Sequence, residues 1–125
     1  MPSDKELLLL MDTHDLEEAL HRTEELGVNH IVIKKGDRGS LLSRGGIRHQ
    51  EPAFSFNRVV SSMAAGDAFN AGYLAAVLKD FDDAEALKLA NCLGAMATLA
   101  WGPYESIPEW DTVMAYLEGK GFVER

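Results

Sequence analysis

Ala64-Ala65-Gly66-Asp67 runs straight into "AFNAGYLAA", so a string of minimal side chains meets a carboxylate where a helix begins. Residues this small leave backbone N–H groups unshielded. The first amides of a helix have no intrahelical partner and lie at the positive end of its dipole, so such a junction can seat a phosphate. Close packing would also call for small residues, with Asp67 serving only as a first-turn complement to the dipole. Both readings stand on these residues alone.

Few other groupings suggest chemistry. Gly36-Asp37-Arg38-Gly39 interrupts an apolar run and suits a turn. His14, His21, His30 and His49 are scattered without metal-site spacing, and Cys92 is the single cysteine. A lone cysteine among apolar residues is expected to be a buried small hydrophobe in a reducing, cytoplasmic setting. No G-x-G-x-x-G follows a strand, which argues against a dinucleotide fold.

The bulk composition agrees with a single globular domain. The chain has 125 residues, 46% hydrophobic and 26% charged, with 12 basic and 20 acidic side chains giving a net charge of −8. With that charge and no basic run, nucleic acid and anionic membranes are poor partners. "LLLL" at 7–10 is too short to span a bilayer, and "MPSDKE" before it lacks the positive start of a signal peptide.

The elements that would position the junction follow from periodicity. A short helix is predicted over 5–11, and a second where Leu16, Ala19, Leu20, Thr23 and Leu26 recur at helical spacing before Gly27. "HIVIK" reads as a strand covered on both faces. "SLLS" and "IRHQ" flank Arg44-Gly45-Gly46 as a hairpin. Helices are predicted over 65–79, 83–100 and 109–119, with Leu87, Ala90, Asn91, Gly94 and Ala97 sharing a face narrow enough to meet the Ala/Gly-rich helix. Strand, hairpin and covering helices make an α/β layer architecture.

From Ser61 to Leu74 the sequence resembles, without a gap, the C-terminal signature of the ribokinase-like (pfkB) carbohydrate kinases, and "GDAFNAG" is identical to it. "HIVIKKGDRGSLL" is similar to the family's strand and glycine loop beside the nucleotide. "ANCLGAMATLAWGPYESIP" is similar to its helix and loop over the base, and "PSDKE" to its Pro-Asn-x-x-Glu. The resemblance implies a three-layer αβα ribokinase-like fold, C-terminal portion only. It also implies ATP-dependent phosphorylation of a sugar or sugar-acid hydroxyl, with ATP and Mg²⁺ as cofactors. Asp67 would be the general base, Ala64, Ala65 and Gly66 (with the Asp67 amide) the anion hole, and Gly36, Asp37, Gly39 and Asn91 the nucleotide contacts. Glu6 would organise Mg²⁺ through water, and Gly102 and Ser106 would flank a monovalent-cation site.

Four departures temper that pattern. Ala64 replaces a glycine, Ser61 and Met63 replace an Asp and a Thr of the K⁺ site, and Ser3 replaces an Asn. Potassium is therefore expected to matter little. Because the resemblance begins at Pro2, residues 1–125 correspond to the nucleotide-binding part, and the family's sugar-binding and lid half is expected to be absent. The exposed strand edge this would leave predicts a homodimer or larger species, inactive on sugars alone. The alternative is a non-catalytic module that binds nucleotide weakly or serves as an oligomerisation unit.

Overall fold

The computed structural model describes residues 1–54, 56, 59–99 and 108–119. Helix α1 (Asp4–Leu10) starts in a capping box: Glu6 N donates to Ser3 Oγ (3.1 Å), and Ser3 N donates back to Glu6 Oε1 (2.8 Å). Helix α2 (Leu16–Glu25) is capped by Asp15, which accepts from Glu17 N (3.2 Å). Such caps contribute about 1 kcal/mol each by satisfying amides the helix cannot. Strands β1 (His30–Lys34), β2 (Ser40–Arg44) and β3 (Ile47–Glu51) follow, with a 3₁₀ turn at Gly36–Arg38 after β1. Arg44 faces Ile47 across a two-residue hairpin in which Gly45 and Gly46 both take positive φ, the turn that matches strand twist.

The three strands form an antiparallel sheet in the order β1-β2-β3. Alternation sends its residues into two separate cores. Ile31, Ile33 and Leu41 pack with Leu7, Ala19 and Leu20 of the first two helices. Val32 and Leu42 pack on the opposite face with residues of α3 (Ala65–Leu78), α4 (Asp83–Met96) and α5 (Trp110–Leu117). "HIVIK" is thus covered on both faces, as its unbroken apolar run predicts, and the architecture is three-layered. Along the other edge of β1, Lys34 N donates to Pro2 O (3.0 Å) in a parallel bridge at Ser3. Among the described residues no further strand pairs there.

Small residues let α3 and α4 approach closely. A Cβ on Gly72 would lie 3.3 Å from Ala90 Cα, and one on Gly94 would lie 3.2 Å from Ala65 O. The face predicted from Leu87, Ala90, Asn91, Gly94 and Ala97 is the buried one. Helix α4 ends earlier than its periodicity predicts. The Thr98 carbonyl turns to accept from Val60 N (2.7 Å) and Ser61 N (3.1 Å), and the last turn tightens to 3₁₀ over Ala97–Leu99.

A polar cluster ties sheet to helices. His30 Nε2 lies 2.6 Å from Tyr73 Oη, and Arg44 holds both Asp83 oxygens at 3.1 and 3.2 Å. Burial, then the Arg44 charge, holds the His30 pKa below its ordinary value. Cys92 is fully buried, which pushes its thiol up to about 12 and makes it the inert packing residue the sequence predicts.

Candidate functional site

One cavity, of about 450 Å³, opens between the β1–β2 turn, the chain leaving β3, and the facing ends of α3 and α4. Gly36, Asp37 and Gly39 line one side, Ala65 and Gly66 another, and Asn91, Gly94, Ala95 and Thr98 a third. Its apolar wall comes from Ala53, Phe54, Phe56, Val59 and Phe69, with Phe54 and Phe56 each in ring contact with Tyr116.

The α3 end of the cavity is built from backbone. Ala64, at the N-cap position, has no side chain that can cap, whereas Ser3, Asp15 and Asp82 cap α1, α2 and α4. Ala65 N is engaged with Ser62 O (3.3 Å), and the first helical bond runs from Ala68 N to Ala64 O (2.9 Å). Among the described residues the amides of Gly66 and Asp67 have no backbone acceptor and no side-chain cap. Ala64 itself is buried outside the cavity wall with φ −103° and ψ 4°, backbone open to any L-residue, so its replacement of glycine introduces no strain. Asp67 is exposed in the first turn and is not part of the wall.

Two of the predicted contacts have structural duties of their own. Asn91 lines the cavity, but its amide donates to Glu51 O (3.3 Å) and Pro52 O (3.1 Å), fastening the chain that leaves β3 to α4. Gly39, at φ +92°, is where that same segment crosses: a Cβ there would sit 2.1 Å from Glu51 O. Gly36 (φ +59°) has open space around it and simply makes the turn.

Glu6 stands apart from the cavity wall. Its capping-box bonds to Ser3 lower its pKa, and the Lys34 charge adds to this, so a carboxylate lies within electrostatic reach of the cavity. Ser61 Oγ accepts from Met63 N (3.2 Å), and the Met63 side chain is exposed. Gly102 and Ser106 lie outside the described residues.

The residue that motif reasoning passed over is Lys34. It closes β1 and lines the cavity. Its Nζ donates to Asn70 Oδ1 (3.2 Å) and lies 3.6 Å from where a Gly66 Cβ would be. The signal was available: Lys34 is the polar last residue of "HIVIK", directly before the Gly36–Gly39 turn that the resemblance places beside the nucleotide. Nothing in the spacing announces the apolar wall of Phe54, Phe56 and Phe69, because it is assembled from segments distant in sequence.

The family model described as pfkB family carbohydrate kinase matches residues 1–110. A sugar kinase of Archaeoglobus fulgidus is 32% identical over 108 residues, covering 86% of this chain and 42% of that protein. A ribokinase II of E. coli solved with ATP and Mg²⁺ superposes with a TM-score of 0.88 at 28% identity, over 95% of this chain and 38% of that one. The Arabidopsis thaliana ribokinase complexed with ribose and ATP gives 0.88 at 26%, over 94% and 39%. The chain therefore spans about 40% of the length of these three proteins. With a ribokinase-like fold and a family model matched over residues 1–110, this chain belongs to the pfkB family of carbohydrate kinases.

Proposed function

We propose that this chain forms the nucleotide-binding part of an ATP-dependent sugar or sugar-acid kinase and supplies the base for phosphoryl transfer. The observation that carries the reading is the cavity itself, in which an apolar wall, a lysine and an uncapped helix start face one another. That combination suits a purine on the apolar side and phosphates at the helix start. ATP, when bound, supplies the phosphoryl group. Gly66 and Asp67 amides stabilise charge on the transferring oxygens, and Asp67 accepts the proton of the attacking hydroxyl.

Among the described residues no three His, Cys, Asp or Glu side chains gather as a metal cluster. Mg²⁺ at a phosphate ordinarily keeps several waters and needs only one or two carboxylates. Glu6, held by Ser3 and within reach of Lys34, fits an outer position of that kind. Acceptor specificity is expected to come from parts of the fold that this sequence does not span.

The chain is expected to bind ATP or ADP weakly, better with Mg²⁺. Calorimetry or ligand-observed NMR at millimolar nucleotide checks this, and silence there would overturn the reading. A large side chain at Gly66 fills the helix start and displaces the Lys34 ammonium, so Gly66→Trp should abolish the signal.

One observation favours self-association beside this role. Leu74 and Leu78 of α3 and Leu9 and Leu10 of α1 are largely exposed, and among the described residues only the bridge at Ser3 pairs the outer edge of β1. Such surfaces are covered most simply by a second copy about a two-fold axis. Light scattering is expected to read a dimer or larger species, and a well-behaved monomer would count against it.

A further inference from the structure

We propose that Lys34 is the cation that makes this site select nucleotides by their phosphate chain, an inference that rests on reading the cavity as a nucleotide site. The placement is specific. Lys34 is anchored at the end of β1 by pairing with Ser40 on one side and by its amide bond to Pro2 O on the other. Its side chain reaches across to α3, where Gly66 and Asn70, one turn apart, share a face. Asn70 Oδ1 accepts a hydrogen bond from one of the three ammonium N–H groups and steers the group over the first turn.

That is an unfavourable place for a cation in the absence of a ligand. Helix starts carry the positive end of the dipole, and lysines are stabilised at the opposite end. The chain does not lack acids to pair with it, having 20 against 12 basic residues. The described arginines Arg22, Arg38, Arg44 and Arg48 all form ion pairs with carboxylates. Lys34 makes no direct ion pair among the described residues: Glu6 feels its charge only through space, and its ammonium donates to a neutral amide. Two N–H groups of Lys34 and the free amides of the helix start thus converge on one spot lined by Gly66, which has no side chain to occupy it. A polyanion reverses the repulsion between ammonium and dipole, whereas an uncharged nucleoside cannot.

The test is calorimetric titration of the native chain and Lys34→Met with ATP, ADP and adenosine at two salt concentrations. The native chain should bind ATP more tightly than adenosine, with an affinity that falls as salt rises. Lys34→Met should weaken ATP about tenfold or more, the loss expected for a hydrogen bond to a charged group. It should also flatten the salt dependence and leave adenosine unchanged. Unfolding midpoints identify a variant that has failed to fold, and the native comparison of ATP with adenosine then decides alone. Equal native affinity for ATP and adenosine, or a folded Lys34→Met that keeps native ATP affinity, overturns the role of Lys34 while leaving the cavity reading intact. If no ligand binds the native chain, the cavity reading falls and the role of Lys34 falls with it.

Discussion

Asp67→Asn, in an enzyme whose acceptor-binding portion is supplied in cis or in trans, is expected to lower turnover by about 10² or more. The amide keeps the shape of the carboxylate but cannot take a proton from the attacking hydroxyl. Asp67 sits exposed in the first turn of α3 and outside the cavity wall, so its replacement leaves the nucleotide contacts in place. Nucleotide affinity should therefore stay level or improve slightly, because a negative charge near the phosphates has gone. Loss of a first-turn carboxylate costs the helix only about 0.3–1 kcal/mol, too little to unfold the protein. Initial rates over a range of ATP separate the two effects. A fall in kcat with KM for ATP unchanged supports the base, and near-native turnover removes Asp67 from the mechanism.

The largest expected effect on stability is at Gly39. Gly39→Ala should destabilise the fold by about 2–5 kcal/mol, combining backbone strain with an overlap that no rotamer change relieves. The residue has φ +92° and ψ −141°, a conformation L side chains rarely adopt. Its Cβ would lie 2.1 Å from Glu51 O and 2.9 Å from Ala53 N, both main-chain atoms. Marginal domains hold only about 5–15 kcal/mol in total, so the loss should be plain in urea or thermal unfolding. Gly36→Ala is the control: its φ of +59° carries strain, but nothing lies within 4 Å. It should cost only about 1–2 kcal/mol. Equal midpoints for the two variants would show that the crossing at 51–53 yields more readily than its geometry indicates.

That contrast marks where sequence reading stops. Helices α1 to α5 and the Gly45-Gly46 hairpin were legible because each is written in a local period or a turn dipeptide. The helix start at 64–67 was legible for the same reason, through a contiguous run of small residues. Gly36 and Gly39 look alike in "GDRG", and only the distant 51–53 segment distinguishes them. Asn91 presents the same difficulty. Its position on α4 follows from periodicity, but its bonds to Glu51 and Pro52 depend on a contact forty residues away in sequence. Lys34 looks like the polar end of a strand until α3 is folded against it. Local pattern places elements; convergence of distant segments assigns duties within them.

The cavity lies along a seam. On one side is the unit running from β1 through the chain that leaves β3, contributing Lys34, Gly36, Asp37, Gly39 and Phe54. On the other is the α3–α4 pair, contributing Gly66, Phe69, Gly94 and Ala95. Across the seam run the apolar packing of Val32 and Leu42 against α3–α5 and the polar contacts Lys34 to Asn70, His30 to Tyr73, Arg44 to Asp83 and Asn91 to Glu51. A molecule seated there touches both sides at once. Its binding energy is then also adhesion between the two units, available only while they are docked. By mass action, occupancy at a hundred times the dissociation constant adds about 2.7 kcal/mol to the docked state. The ligand acts as a removable piece of the core, and the tightness with which the two halves of the molecule move together becomes a function of its concentration.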